Sequence, residues 1–346
     1  MRVRTLVCLV LVMAAACSNG SASARHDAAS ATTRPPTSTA TSPAPTGPPS
    51  TTTTTSPPPP RWQPRAAAPT ARQEVASTVA DGRVWVIGGV TTAGATDVVE
   101  SYDPASDRWS AGPALPVALH HASAVTYHGE IVVMGGFLSA ASLYTRTSAR
   151  VLALRNGGWV DLPPLRRPRG AAAAAVVGDA LVVAGGRDAT TLIGPTEIFD
   201  GSGWHDAEAI PTRRDHLSAT SDGRGMLTVG GRFLQPGALS AALERFDPVT
   251  GMWERLPAMP TPRGGQGATM VGGRLVVAGG EDPTRVYAEV EAYDVAAQRW
   301  SSLPPLPTPR HGLAVERLGD KVVALVGGTA YGVAPSAVAE ALSPIA

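Results

Sequence analysis

Six of the seven tryptophans, at positions 62, 109, 159, 204, 253 and 300, are followed ten residues later by Arg72, Leu119, Arg169, Arg214, Arg263 and Arg310. Five glutamates, Glu100, Glu197, Glu244, Glu291 and Glu340, recur in register with the five arginines. The repeat with Leu119 in place of arginine has Arg150 in place of glutamate. Arginine and glutamate are thus present together five times and absent together once. Guanidinium and carboxylate suit bidentate contact, and buried charges demand partners. The pattern predicts five structural ion pairs: Arg72 with Glu100, Arg169 with Glu197, Arg214 with Glu244, Arg263 with Glu291 and Arg310 with Glu340. The odd repeat keeps His120, His121 and Arg150 outside that scheme. It also has the longest insert, FLSAASLYTRTS, which carries Tyr144 and Arg146. These residues form a candidate ligand-binding rim, unless the repeat is simply degenerate.

Arg187, Arg232 and Glu281 join this candidate rim because each follows a Gly-Gly pair, in the irregular connections where binding residues gather. Asp188, Asp282, Arg285, Tyr287 and Tyr331 share such loops and read equally well as solvated loop residues. Other chemistry is poorly supported. His120 and His121 are adjacent, and on a strand they would point to opposite faces and not chelate together. No cysteine follows Cys17, so zinc sites of Cys/His spacing are absent. Neither a serine nucleophile elbow nor a phosphate-cradling glycine loop before a helix appears. No catalytic, cofactor-binding or metal-binding residue is assigned, and no cofactor is expected. A net charge of +1 and 16% charged residues leave no electrostatic footprint for nucleic acid.

The elements that would hold these residues repeat. Gly-Gly pairs at 88–89, 135–136, 185–186, 230–231, 279–280 and 327–328 are 47, 50, 45, 49 and 48 residues apart. A β-branched run precedes each, as in VWVIGG, IVVMGG and LVVAGG, with a turn signal ahead of most of them, which reads as a hairpin. A third strand ends in an aromatic–Asp pair at Tyr102, Phe199, Phe246 and Tyr293, and a tryptophan opens the fourth. Four short strands, six times, is the pattern of an all-β, six-bladed β-propeller with four-stranded antiparallel blades. The Gly-Gly, aromatic and tryptophan landmarks resemble the kelch repeat, and the resemblance covers residues 61–346. The second repeat departs from it with Leu152 at the aromatic position. In kelch propellers that bind acidic peptides, matching arginines line one mouth of the channel. The resemblance therefore implies a ligand-facing cationic ring as the alternative to the five pairs. Kelch-type copper oxidases need a Tyr-Cys cross-link, which this sequence cannot supply.

The sixth repeat ends at Ala346 without its tryptophan. RWQPRAAAPTAR has the same spacing as WSSLPPLPTPR, so Trp62 is expected to supply the missing outer strand and close the ring. Ahead of it, residues 1–16 read as an export signal: Arg2 and Arg4, then the apolar run Leu6–Ala16. AAAC resembles a lipobox, which implies lipidation of Cys17; plain secretion is the alternative. Residues 17–60, almost pure Ser, Thr, Ala and Pro after Cys17, read as a disordered tether. The expected molecule is a monomeric, outward-facing propeller at the cell envelope, meeting the membrane through a lipid alone. It would bind an extracellular protein or glycan. The alternative is an enzyme resembling the kelch-fold sugar epimerases of bacterial envelopes, working in the axial mouth.

Overall fold

Continuous apolar runs such as Leu275–Ala278 suit strands buried on both faces, because successive side chains point to opposite sides of a sheet. In the computed structural model, which describes residues 59–138 and 144–345, these runs are the second strands of six four-stranded antiparallel sheets. The expected signal, Cys17 and nearly all of the tether lie outside the described residues. Blade one consists of Ala76–Ala80, Arg83–Ile87, Val99–Asp103 and Arg108–Ala111, in that order from the axis outward. Blades two to five repeat the plan. The sheets form a six-bladed β-propeller.

Six clusters of buried apolar side chains fill the six blade interfaces. Leu275, Val277 and Tyr293 of blade five meet Leu227 and Val229 of blade four. Val276, Ala278 and Ala292, on the other face of the same blade, meet Val322, Ala324 and Leu342 of blade six. No blade could cover both faces alone, so stacking around the axis completes each core.

The outer strands add a polar clamp. Each of the six tryptophans donates its indole N–H to a carbonyl four residues past the preceding blade's tryptophan. Trp109 reaches Ala66 O at 2.8 Å, Trp159 reaches Pro113 O at 2.9 Å and Trp300 reaches Pro257 O at 2.9 Å. Tyr102, Phe199, Phe246 and Tyr293 pack on their blade's tryptophan with ring centroids 5.1 to 5.3 Å apart. The ring closes through Arg61–Pro64, which pairs antiparallel with Pro335–Ser343 in blade six, placing Trp62 opposite Leu342. Trp62 donates to Pro304 O at 2.7 Å and so repeats the clamp across the closure.

The first strands surround the axis and contact one another around it. They wall an axial channel that holds two adjoining cavities, of about 150 Å³ and about 370 Å³. Small residues such as Ser77, Ala124, Ala174, Ala219 and Ala268 line it, with Glu316 among them.

Candidate functional site

The five repeating arginines are fully buried and turn into their own blades. Arg72 meets Glu100 at 2.7 Å, Arg169 meets Glu197 at 2.6 Å and Arg214 meets Glu244 at 2.6 Å. Arg263 meets Glu291 at 2.6 Å and Arg310 meets Glu340 at 2.7 Å. Gly-Gly leaves room for each guanidinium to cross to main-chain carbonyls, as Arg310 does with Val326 O and Val338 O. A threonine two residues earlier donates to the same carboxylate in four blades: Thr70, Thr212, Thr261 and Thr308. Burial pulls all five arginines below their usual basicity against the raising effect of the glutamates, Arg310 to about 10. Held this way, the five guanidinia form no ring open to a ligand.

Two residues past the five arginines and Leu119 the chain meets the axis at Glu74, His121, Ala171, His216, Gly265 and Gly312. All six have positive φ, between 51° and 67°. Their main chains join across blades: His121 N to Glu74 O, Ala171 N to His121 O, His216 N to Ala171 O, Gly265 N to His216 O and Gly312 N to Gly265 O, at 2.7 to 3.0 Å. The left-handed backbone that makes this ring possible costs a non-glycine residue roughly 1–2 kcal/mol. Gly312 must lack a side chain, because a Cβ there would lie 2.6 Å from Glu74 Cδ and 2.6 Å from Glu74 N.

Above the ring, three sets of side chains converge: Glu74, His121 and His216 from the ring, Asp215 and His311 one residue earlier in their blades, and Arg232 and Glu281 after their Gly-Gly pairs. His121 Nε2 is 3.1 Å from Glu74 Oε2. His311 Nδ1 faces Glu74 Oε1 at 3.1 Å and Glu281 Oε2 at 3.4 Å, while its Nε2 donates to Ala330 O at 3.0 Å. His216 Nδ1 meets Asp215 Oδ1 at 2.8 Å, and Arg232 contacts His216 Nε2 while pairing with Glu281 at 2.8 Å. A cavity of about 180 Å³ opens beside them, lined also by Gln73, Val90, Tyr144 and the Tyr331–Val333 loop.

Neighbours set the charges of these groups. Burial works against an ionised Glu74, yet His121, His311 and His216 outweigh it and hold the carboxyl well below the usual range. Burial would lower His311 too, but the hydrogen bond and charge of Glu74, together with Glu281, raise it above the ordinary imidazole value. Burial drives His121 well below that value despite Glu74, and pushes Glu281 up against His311 and Arg232. The mouth therefore sets a carboxylate beside a readily protonated imidazole. Two groups, Glu74–His121–His216 and Glu74–Glu281–His311, bring ligand atoms within 4.8 Å of one another and could hold a metal ion.

The Kelch motif family matches residues 71–116 and 262–307, which span the first and fifth Arg–Gly-Gly–Glu–Trp units. Two of the six repeats are thus kelch motifs. The chain is similar to the Kelch-like protein terF of Aspergillus terreus (strain NIH 2624 / FGSC A1156), 28% identical over 134 residues, which is 37% of this chain and 29% of that protein. It is also similar to the Acyl-CoA-binding domain-containing protein 4 of Arabidopsis thaliana, 31% identical over 130 residues, 32% of this chain and 19% of that one. The solved structure of YjhT matches with a TM-score of 0.68 at 16% identity, covering 79% of this chain and 96% of that one. That likeness is one of fold.

The candidate rim residues have different fates in the propeller. His121, Tyr144, Arg232 and Glu281 line the mouth cavity. Arg187 stacks over Tyr144 at 5.3 Å and lies 3.7 Å from Asp215. His120 is fully buried behind them, against Phe137. Arg146 and Arg150 do not line the mouth cavity. Arg150 pairs with Asp161 of its blade's outer strand through two 2.9 Å contacts, away from the axis. The expectation that His120 and His121 diverge is overturned, since their Nδ1 atoms lie 2.6 Å apart. Strand alternation fails there because His121 adopts φ of 52°. Asp188 and Asp282 cap their own loops through Thr190 N and Thr284 N. Glu74, Asp215, His216 and His311 were missed. Their signal is positional, one or two residues past the repeating arginine, and consists of residues that do not themselves repeat.

Proposed function

We propose that this kelch propeller is a binding module that captures a small, polar, oxygen-rich ligand, such as an envelope glycan fragment, in its axial mouth. One observation carries the reading: Glu74, Asp215, Glu281, Arg232 and three histidines are concentrated at the mouth although the blades are already tied by separate ion pairs. Burying charge is costly, and Glu74, His121 and His216 also bear left-handed backbone that glycine would adopt freely. A pocket with few convergent polar groups and shifted acidities is the usual form of a ligand site. Tyr331, 56% exposed beside it, offers an aromatic face to a sugar ring. The export signal, Cys17 and the Pro-rich tether support presentation outside the membrane on a lipid anchor. In the native host, Cys17→Ser is expected to release the protein from the membrane fraction; full retention would reject the anchor.

The test is a calorimetric panel of neutral and acidic sugars, peptidoglycan fragments and acidic peptides, run with and without chelator. At least one sugar is expected to bind wild type and to lose at least tenfold in affinity with Arg232→Ala or Glu281→Gln. Binding unaffected by both substitutions would move the site elsewhere. A second reading, acid–base chemistry on the bound sugar, is favoured by the Glu74–His311 pair: a carboxylate and a readily protonated imidazole 3.1 Å apart. Glu74→Gln would then abolish turnover of a sugar that still binds.

A further inference from the structure

We infer that Glu74, His121 and His216 form a site for a divalent transition-metal ion of the zinc class, open on one side to the mouth cavity. This deepens the binding reading and rests on it: the metal would hold an oxygen of the ligand.

The donor set is two imidazoles and one carboxylate, which suits zinc and its first-row neighbours and leaves positions for water or ligand. The ligand atoms lie within 4.8 Å of one another, and the two rings stand edge to face at 4.7 Å between centroids. His216 is oriented by Asp215 at Nδ1, so its Nε2 faces the cluster. His121 is oriented by His120 at Nδ1, so its Nε2 faces Glu74. An outer partner on the far nitrogen is how metal-binding histidines are usually held. The His121 side chain is 3% exposed and its Nε2 makes no hydrogen bond, although the Glu74 carboxylate is within reach. A buried ring nitrogen aimed at a carboxylate without a bond lacks its partner.

His216 Nε2 does have one, the Arg232 guanidinium. A cation thus already stands beside the proposed centre. Arg232 is 21% exposed and pairs with Glu281, so it can withdraw toward the cavity when a metal enters. The neighbouring group of Glu74, Glu281 and His311 is less suited. There both ring nitrogens of His311 already have partners: Nε2 meets Ala330 O at 3.0 Å, and Nδ1 faces Glu74 Oε1 at 3.1 Å and Glu281 Oε2 at 3.4 Å.

The full chain, stripped with chelator and dialysed, is titrated with Zn2+ by calorimetry and with Co2+ by visible absorption, without organic ligand. One ion per chain is expected, with Co2+ bands of low-coordinate geometry. His121→Ala and His216→Ala each remove binding, with the glutamine variants used where alanine fails to fold by circular dichroism. Asp215→Asn weakens it roughly 10–100-fold, the usual effect of losing such an outer partner. Arg232→Met, which removes the competing cation, tightens it. Binding absent from wild type, binding confined to Arg232→Met, or wild-type affinity in folded histidine variants would each overturn the site. Because the sugar panel is run with and without chelator and this titration without sugar, the two inferences are read separately: no sugar bound in either condition overturns the binding reading, and no ion bound here overturns the metal site.

Discussion

At the scale of single residues, two kinds of buried charge behave differently. The Arg263–Glu291 pair is sealed inside blade five, with Thr261 on the second carboxylate oxygen. Removing one partner leaves the other charged and dry, so Arg263→Met or Glu291→Gln alone should cost about 3–5 kcal/mol, while the double variant costs much less than their sum. Urea melts in a double-mutant cycle read this coupling, and a value near zero would reject the pair as structural. Among the described residues, Glu316 pairs with no cation in the axial channel and meets the Ser77 hydroxyl at 2.7 Å. Burial pushes it from 4.5 to about 7. A raised carboxylate favours its protonated form in the folded state, so stability falls as pH rises from about 4.5 through 7. Glu316→Gln should therefore stabilise by about 2 kcal/mol at pH 8 and by less than about 1 kcal/mol at pH 5. Equal gains at the two pH values would show that Glu316 does not titrate in the fold. Gly312 is the opposite case, defined by what it lacks. Gly312→Ala should displace Glu74 and cost the mouth its ligand, with a melting point lowered by strain of about 1–3 kcal/mol. Unchanged sugar binding would remove Glu74 from the site.

At the scale of elements, the tryptophan clamp separates packing from hydrogen bonding. Trp109→Phe keeps a ring against Tyr102 but loses the bond to Ala66 O, so a loss of about 1 kcal/mol is expected in thermal or urea melts. No loss would show the bond to be incidental to blade docking. The strands were legible in the sequence because their determinants recur: Gly-Gly after an apolar run, Asp-Gly turns, tryptophan on the outer strand. The register after Gly-Gly is visible for the same reason, and Arg187, Arg232 and Glu281 can be found there. The ring register is not. Glu74, His121, Ala171, His216, Gly265 and Gly312 share one backbone conformation but no chemistry, so no pattern of residue types marks them. The left-handed φ at His121 also breaks the two-residue alternation on which a strand argument depends. That is why two adjacent histidines converge where the pleat would separate them. Repetition thus reveals the scaffold, while the site is written in the departures from it.

At the scale of the whole molecule, the sixth blade has its fourth, outer strand only if the two ends of the described chain are joined. The join here is Arg61–Pro64, and three separate interactions depend on it. Its main chain pairs with Pro335–Ser343, Trp62 packs against the cluster between blades five and six, and the Trp62 indole clamps Pro304. A chain beginning at residue 66 would delete the strand yet keep Ala66 O for Trp109 and Arg72 for Glu100, so any loss reports closure alone. The exposed edge of Pro335–Ser343 would then be open to pairing with a second molecule. Such a chain is expected to melt more than about 10 °C below one beginning at residue 60 and to form dimers at high concentration, whereas Trp62→Ala in the closed ring should lose about 3–5 kcal/mol without dimerising. The contrast tests the geometry, because a strand that merely decorated the outside of blade six would leave both midpoints where they were. A closed ring also fixes the distance between Glu74 of blade one and His311 of blade six, which meet across the join. Opening it should therefore abolish ligand binding at the mouth even at temperatures where the remaining blades stay folded, which isothermal titration below the lower midpoint would reveal.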